Sequence, residues 1–144
     1  MKILMVCLGN ICRSPLAEGI MQHLVDKAGL DWEIDSAGTG DWHVGQGPHH
    51  GSVQVARSRG IDITNQVCRL FRISDFDEFD LILVMDKSNL SNVLAMARNQ
   101  ADKQKVKLLL GNKEVPDPYY TNLFEEAFDL IEAGCKKHMA MLLM

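Results

Sequence analysis

Cys7-Leu8-Gly9-Asn10-Ile11-Cys12-Arg13-Ser14 sets an arginine six positions after a thiol, with a hydroxyl directly behind it. A thiolate is a strong nucleophile, and a guanidinium presents a planar fork that matches two oxygens of a phosphoryl group. A free thiol is only about 3% ionised at neutral pH, so the chemistry needs surroundings that favour the anion. Gly9 permits a turn through positive φ and Asn10 tolerates one, so the loop can turn successive backbone N–H groups inward above a helix N-terminus. Those N–H groups, the helix end, Arg13 and the Ser14 hydroxyl would all stabilise a thiolate at Cys7. The same groups would hold the equatorial oxygens of a phosphoryl group in transfer. The plain alternative is a buried cysteine at a strand end beside a surface arginine.

A second segment, Val115-Pro116-Asp117-Pro118-Tyr119-Tyr120, carries a carboxyl stiffened by proline on both sides. Set over the cysteine loop, Asp117 would supply the proton that a leaving phenolate or alkoxide needs, and the two tyrosines would wall a slot for an aromatic substrate. By itself the segment reads more readily as a turn, because Asp-Pro and Pro-Asp are common turn formers.

The elements that must position these residues are legible as short apolar runs alternating with helix-period stretches. Ile3 to Val6, Trp32 to Ser36, Leu81 to Met85 and Val106 to Leu110 read as strands. Helices are expected from Pro15 to about Ala28, with Ser14 as cap and Pro15 in the first turn, and over Ser52–Arg59 before Gly60. Two more are expected, from Lys87 to Ala97 and from Leu123 to the end, with Leu123, Ala127, Leu130, Ile131, Cys135 and Leu142 facing inward. Strands separated by helices indicate an α/β fold of three layers, a four-stranded parallel sheet flanked by helices. Ligands of such sheets bind beyond the carboxyl ends of the strands, which is where the cysteine loop and the Asp117 segment fall.

The 144 residues suit one domain, 1–144, and a net charge of −4 with no basic run longer than Lys136-Lys137 gives no nucleic-acid footprint. No apolar stretch approaches the roughly 20 residues of a membrane span, and Met1-Lys2 leads into no signal peptide, so a cytoplasmic protein without membrane partners is expected. The cysteines at 7, 12, 68 and 135 form no C-x-x-C pair. In a reducing compartment they read as free thiols, Cys68 and Cys135 as small buried hydrophobes. His43, His49 and His50 lie close together but lack ligand-spaced acidic or thiol partners, so a solvated loop is expected and no metal. Asp86, after the third strand, either orients Arg13 or serves as a helix N-terminal carboxylate.

Together the two loops resemble those of the low-molecular-weight protein tyrosine phosphatase family. Residues 7–15 are similar to its signature loop and Asp117-Pro118-Tyr119-Tyr120 to its acid loop. Asp35-Ser36-Ala37-Gly38-Thr39 and Met85-Asp86-Lys87-Ser88-Asn89-Leu90 follow its pattern too. The resemblance implies cofactor-free and metal-free hydrolysis of phosphotyrosine in proteins in two steps, with inorganic phosphate as product. Cys7 would form a phosphocysteine, Arg13 would clamp the oxygens, and Asp117 would act as general acid and then base. It further implies a phosphate-binding loop of Leu8, Gly9, Asn10, Ile11, Cys12, Arg13 and Ser14, supported by Asn10, Ser14 and Ser36. Leu8, Ile11, Trp42, Tyr119 and Tyr120 would line the substrate slot, and Cys12 would capture oxidised Cys7 as a disulfide.

The chain departs from the family at three places. Gly47-Pro48-His49-His50-Gly51 stands where an Asp-x-Arg is usual, which removes a salt link. Gln66 replaces a histidine of the loop network, and the spacer Thr121-Asn122-Leu123 is short. Two other functions remain open at this level. One is arsenate reduction on the same scaffold, against which the wide separation of Cys68 and Cys135 counts. The other is a non-catalytic module that binds phosphate or phosphopeptide, for which neither Cys7 nor Asp117 is needed.

Overall fold

The computed structural model describes residues 1–144. Four strands, β1 (Lys2–Cys7), β2 (Glu33–Gly38), β3 (Leu81–Val84) and β4 (Val106–Leu108), form one sheet in the order β2-β1-β3-β4 with every pair parallel. The helices are α1 (Arg13–Lys27), α2 (His50–Ser58), α3 (Asp75–Glu78), α4 (Lys87–Leu94), α5 (Gln100–Gln104), α6 (Pro118–Thr121) and α7 (Phe124–Leu142). This is the expected three-layer α/β fold. No helix is long and apolar enough to cross a membrane.

The apolar run of β1 serves both faces of the sheet. Ile3, Met5 and Cys7 enter a core with Leu16 and Ile20 of α1 and Phe128 and Ile131 of α7. Leu4 and Val6 enter a second core with Phe71, Phe76 and Val93. Burying each such side chain contributes roughly 1.5–3 kcal/mol, so a register slip would cost both cores at once. The period of two therefore fixes Cys7 on the α1 face at the carboxyl end of β1. The chain passes from β1 to β2 on one side and later reaches β3 on the other, which makes the gap between β1 and β3 the topological switch point. The Cys7–Ser14 loop leaves the sheet there.

Some local expectations need correcting. α1 begins at Arg13 with Cys12 in the cap position and no side-chain cap, and Ser14 lies inside the first turn. Its hydroxyl is engaged by Cys7 and Asn10 instead. Asn10 alone takes positive φ in the loop, at 56°. Gly9 has no such φ, and a Cβ there would sit 3.2 Å from the His43 ring, close enough that the ring would have to give by a few tenths of an ångström. Leu123 is exposed, and the inner face of α7 is filled by Ala127, Phe128, Ile131, Cys135 and His138, with Leu130 and Leu142 half-buried. β4 and α4 end earlier than their apolar runs, at Leu108 and Leu94.

Candidate active site

No backbone N–H from Leu8 to Ser14 forms a hydrogen bond within the protein. The carbonyls of the same loop are tied outward: Cys7 O to Thr39 N, Leu8 O to Gly40 N and Ile11 O to His49 N, at 2.8–3.0 Å. Asn10 O accepts from the Cys68 thiol and Cys12 O from the Ser52 hydroxyl. Carbonyl and N–H edges point opposite ways, so a loop anchored through its carbonyls turns its donors to the inside. Buried N–H groups are normally paired. A run of unpaired ones at the start of α1, whose first turn carries no acidic side chain, is an arrangement that can hold an anion. Gly38 of β2 supports the loop from behind, where a Cβ would come within 2.9 Å of Leu8 O and 3.1 Å of Asn10 N.

Arg13 is 2% exposed, and both Nη atoms of its guanidinium are held. Nη1 donates to Asp86 Oδ2 at 2.8 Å and to Val115 O at 2.9 Å, while Nη2 reaches Asp117 Oδ2 at 3.4 Å. Nε is buried and has no partner. Nε is therefore the one guanidinium nitrogen without a partner, and Nη2 beside it is held only by the longer contact to Asp117. Burial alone would lower the Arg13 pKa, but Cys7, Asp86 and Asp117 reverse this and raise it, so the cation is secure. Both sequence readings of Asp86 hold: Oδ2 orients Arg13, and Oδ1 accepts from Asn89 N at 2.7 Å as the N-cap of α4.

Cys7 Sγ lies 3.1 Å from Ser14 Oγ. Asn10 Nδ2 donates to Ser14 Oγ at 2.8 Å and to Ser36 Oγ at 3.0 Å, and Asn10 Oδ1 accepts from Arg69 N. Since Ser14 Oγ already accepts from Asn10, its hydrogen is available to the Cys7 sulfur, with Ala37 O at 3.5 Å as the more distant alternative. The three polar residues assigned to loop support thus form one connected network.

A cavity of about 300 Å³ opens above the loop and is lined by Cys7, Leu8, Gly9, Ile11, Cys12, Trp42, Asp117, Tyr119 and Tyr120. Val115 N bonds to Met85 O, and this carries the Pro116–Tyr120 segment over Cys7 from the end of β3. Asp117 caps α6, its Oδ1 accepting from Tyr119 N at 3.1 Å. The Tyr119 and Tyr120 rings meet edge to face at 5.2 Å, and they and Trp42 form an exposed aromatic rim. The wall includes one residue that the sequence reading left in a solvated loop, His43. Its position next to Trp42 was the only available signal.

The departures from the family pattern resolve into local substitutes. His49 Nδ1 accepts from Gly51 N as the cap of α2, and the ring stacks on Phe124 at 5.1 Å. Gln66 Nε2 donates to Pro15 O in α1 and does not join the Asn10 network. Asn122 closes α6 at φ 63°, so the short spacer leads into α7 through a left-handed residue. The other thiols are buried: burial, helped by Asp117 and Cys7, pushes Cys12 up to about 12, and burial and Cys7 push Cys68 up to about 11. Burial raises Cys135 further.

A family model described as low molecular weight phosphotyrosine protein phosphatase matches residues 2–143. The chain is 42% identical over 149 residues to the low molecular weight protein-tyrosine-phosphatase YfkJ of Bacillus subtilis, covering 98% of this chain and 95% of that protein. The crystal structure of YfkJ superposes with a TM-score of 0.94 over 99% of this chain and 94% of its own. PtpA of Staphylococcus aureus is 42% identical over 135 residues, 90% of this chain and 86% of that protein. The structure of the Drosophila arginine phosphatase DARP superposes with a TM-score of 0.92 at 36% identity, covering 99% of this chain and 98% of its own.

Proposed function

The chain belongs to the low molecular weight protein tyrosine phosphatase family, and we propose that residues 1–144 act as one catalytic unit that hydrolyses phosphotyrosine in proteins through a phosphocysteine. The observation that supports this reading is the set of unpaired donors, the N–H groups of residues 8–14 and Arg13 Nε, on the loop whose Cys7, Leu8, Gly9, Ile11 and Cys12 line the cavity.

The phosphoryl group enters with its oxygens on the loop N–H groups and on the Nε–Nη2 edge of Arg13. Cys7 Sγ attacks phosphorus opposite the tyrosyl oxygen. The S–P bond forms as the P–O bond breaks, and protonated Asp117 gives its proton to the departing phenolate oxygen. Arg13 Nη2, which touches Asp117 Oδ2 in the free protein, turns to the phosphoryl oxygens and frees the carboxyl to face the leaving group. In the second step Asp117, now a carboxylate, takes a proton from water. The water oxygen attacks phosphorus, the S–P bond breaks, and inorganic phosphate leaves with the Cys7 thiolate restored. The Ser14 hydroxyl steadies that thiolate both as nucleophile and as leaving group.

Leu8, Ile11, Trp42, Tyr119 and Tyr120 suit the flat ring of phosphotyrosine, which gains from apolar and edge-to-face contact. A phosphorylated guanidine would put a polar group against the same walls, so phosphoarginine is the competing substrate to test. Arsenate reduction needs a relay of thiols, and Cys68 and Cys135 sit buried in separate cores. Phosphopeptide binding alone leaves Cys7 and Asp117 without a role. The test is release of inorganic phosphate from a phosphotyrosyl peptide, a phosphoarginyl peptide and a phosphoseryl peptide. The reading expects phosphotyrosine to be turned over fastest and Cys7→Ser to abolish turnover. Unchanged turnover in Cys7→Ser, or binding of phosphotyrosyl peptide without release, would reject it.

A further inference from the structure

The hydrogen-bond network behind the loop continues past Ser36. Ser36 Oγ donates to Glu18 Oε1 at 2.7 Å, and Glu18, on α1, lines a polar groove of about 560 Å³ distinct from the Cys7 cavity. We propose that Glu18 is a positioning residue: its ionisation sets the Ser36–Asn10–Ser14 relay and through it the reactivity of Cys7. The proposal rests on the phosphatase reading above.

The relay has a direction, running from Glu18 through Ser36, Asn10 and Ser14 to Cys7. Arg69 N bonds to Asn10 Oδ1, which fixes the amide and directs Nδ2 to the two serines. Ser36 and Ser14 each accept from Asn10 and have one hydrogen left to donate, Ser36 toward Glu18 and Ser14 toward Cys7 Sγ at 3.1 Å, with Ala37 O at 3.5 Å as its more distant second acceptor. An ionised carboxylate is acceptor-only and completes this order. A protonated Glu18 brings a hydrogen of its own, which competes for Ser36 Oγ and loosens the anchor of Asn10. Asn10 is also the residue that holds positive φ at the crest of the loop, so loss of its anchor reaches the loop backbone.

The Glu18 carboxyl titrates where this matters. Burial raises it to about 7, the Ser36 bond opposes the rise, Asp35 adds to it and Arg69 opposes it. The charged and titratable groups around it are Asp35 on β2, His23 and Asp26 on α1, Asp62 after α2, and Arg69 between α2 and α3. Arg69 is itself bonded to Asp35 and Asp75. Gln66, at the same groove, is neutral and donates to Pro15 O.

The experiment follows the rate of Cys7 alkylation by iodoacetamide, a neutral reagent, from about pH 5 to about pH 9. It compares wild type, Glu18→Gln and Ser36→Ala, and assays each protein for phosphate release from phosphotyrosyl peptide. Wild type should show, beside the ionisation of Cys7, a step centred near pH 7. Both variants should lose that step. Retention of the step in Glu18→Gln, or its absence from wild type, overturns the proposal. Loss in Glu18→Gln with retention in Ser36→Ala also overturns it, because the coupling then acts through space. Failure of wild type to release phosphate rejects the phosphatase reading, whereas the alkylation profile still decides whether Glu18 is coupled to Cys7.

Discussion

Asp86 holds Arg13 by one nitrogen, Oδ2 to Nη1 at 2.8 Å, and leaves Nε of the same guanidinium buried and unpaired. The aspartate also caps α4. The guanidinium proposed to clamp the phosphoryl group is therefore oriented by a residue whose own position is fixed by a helix.

Asp86→Asn separates the two duties, since asparagine caps a helix as well as aspartate does. The substitution should lower kcat/KM by about ten- to a hundredfold through misorientation of Arg13. Asp86→Ala should show the same kinetic loss and in addition lose about 1 kcal/mol or more of stability with the cap. Steady-state kinetics and urea unfolding of the two variants check this.

Asp117→Asn removes the proton donor while the cap of α6 survives. For phosphotyrosine, kcat should fall about a hundred- to ten-thousandfold. For an aryl phosphate whose phenolate leaves without protonation, the fall in the first step should be much smaller. Kinetics across a series of leaving groups measure the difference.

Glu18→Gln should change stability in a pH-dependent way. The folded protein holds the Glu18 proton up to about 7, against an ordinary value of 4.5, so it binds more protons than the unfolded chain in that window. The contribution of this group to stability is full below the window and falls as pH rises through it. Glutamine carries no such charge. The variant should match wild type near pH 4 and exceed it by up to about 3 kcal/mol near pH 8. Urea unfolding at the two pH values decides the point.

Cys12 lines the cavity with Cys7, and its thiol, pushed up to about 12, stays protonated at neutral pH. After peroxide converts Cys7 to a sulfenic acid, attack by Cys12 would form a disulfide and release water, protecting Cys7 from further oxidation. Wild type inactivated by peroxide should regain activity with dithiothreitol, and Cys12→Ser should regain far less. Recovery assays with matched peroxide doses test this.

Much of this was legible in the chain itself, for identifiable reasons. Ile3–Val6 and Leu81–Met85 are apolar throughout because both faces of an interior parallel strand are covered. The Cys7–Ser14 loop was legible because thiol, arginine and hydroxyl sit at fixed offsets between a strand and a helix. Ser14 was misread as a cap because a serine before Pro15 has the right type for one, and only the fold shows its oxygen engaged by Cys7 and Asn10. The short helices α3, α5 and α6 span too few residues to display a helical period. Glu18 went unnoticed because its partner Ser36 is remote in sequence, and His43 was read as part of a solvated loop because nothing near it in the chain shows that it lines the cavity.

The most direct test of the central claim is to trap the enzyme during turnover. Asp117→Asn mixed with an aryl phosphate whose phenolate leaves without protonation, and quenched in milliseconds, should carry one phosphoryl group on the peptide that contains Cys7, because only the hydrolysis step then lacks its base. Phosphorus NMR of that sample should give the signal of an S–P bond. A quenched enzyme without phosphorus during rapid phosphate release, or a label on a residue other than Cys7, would contradict the account.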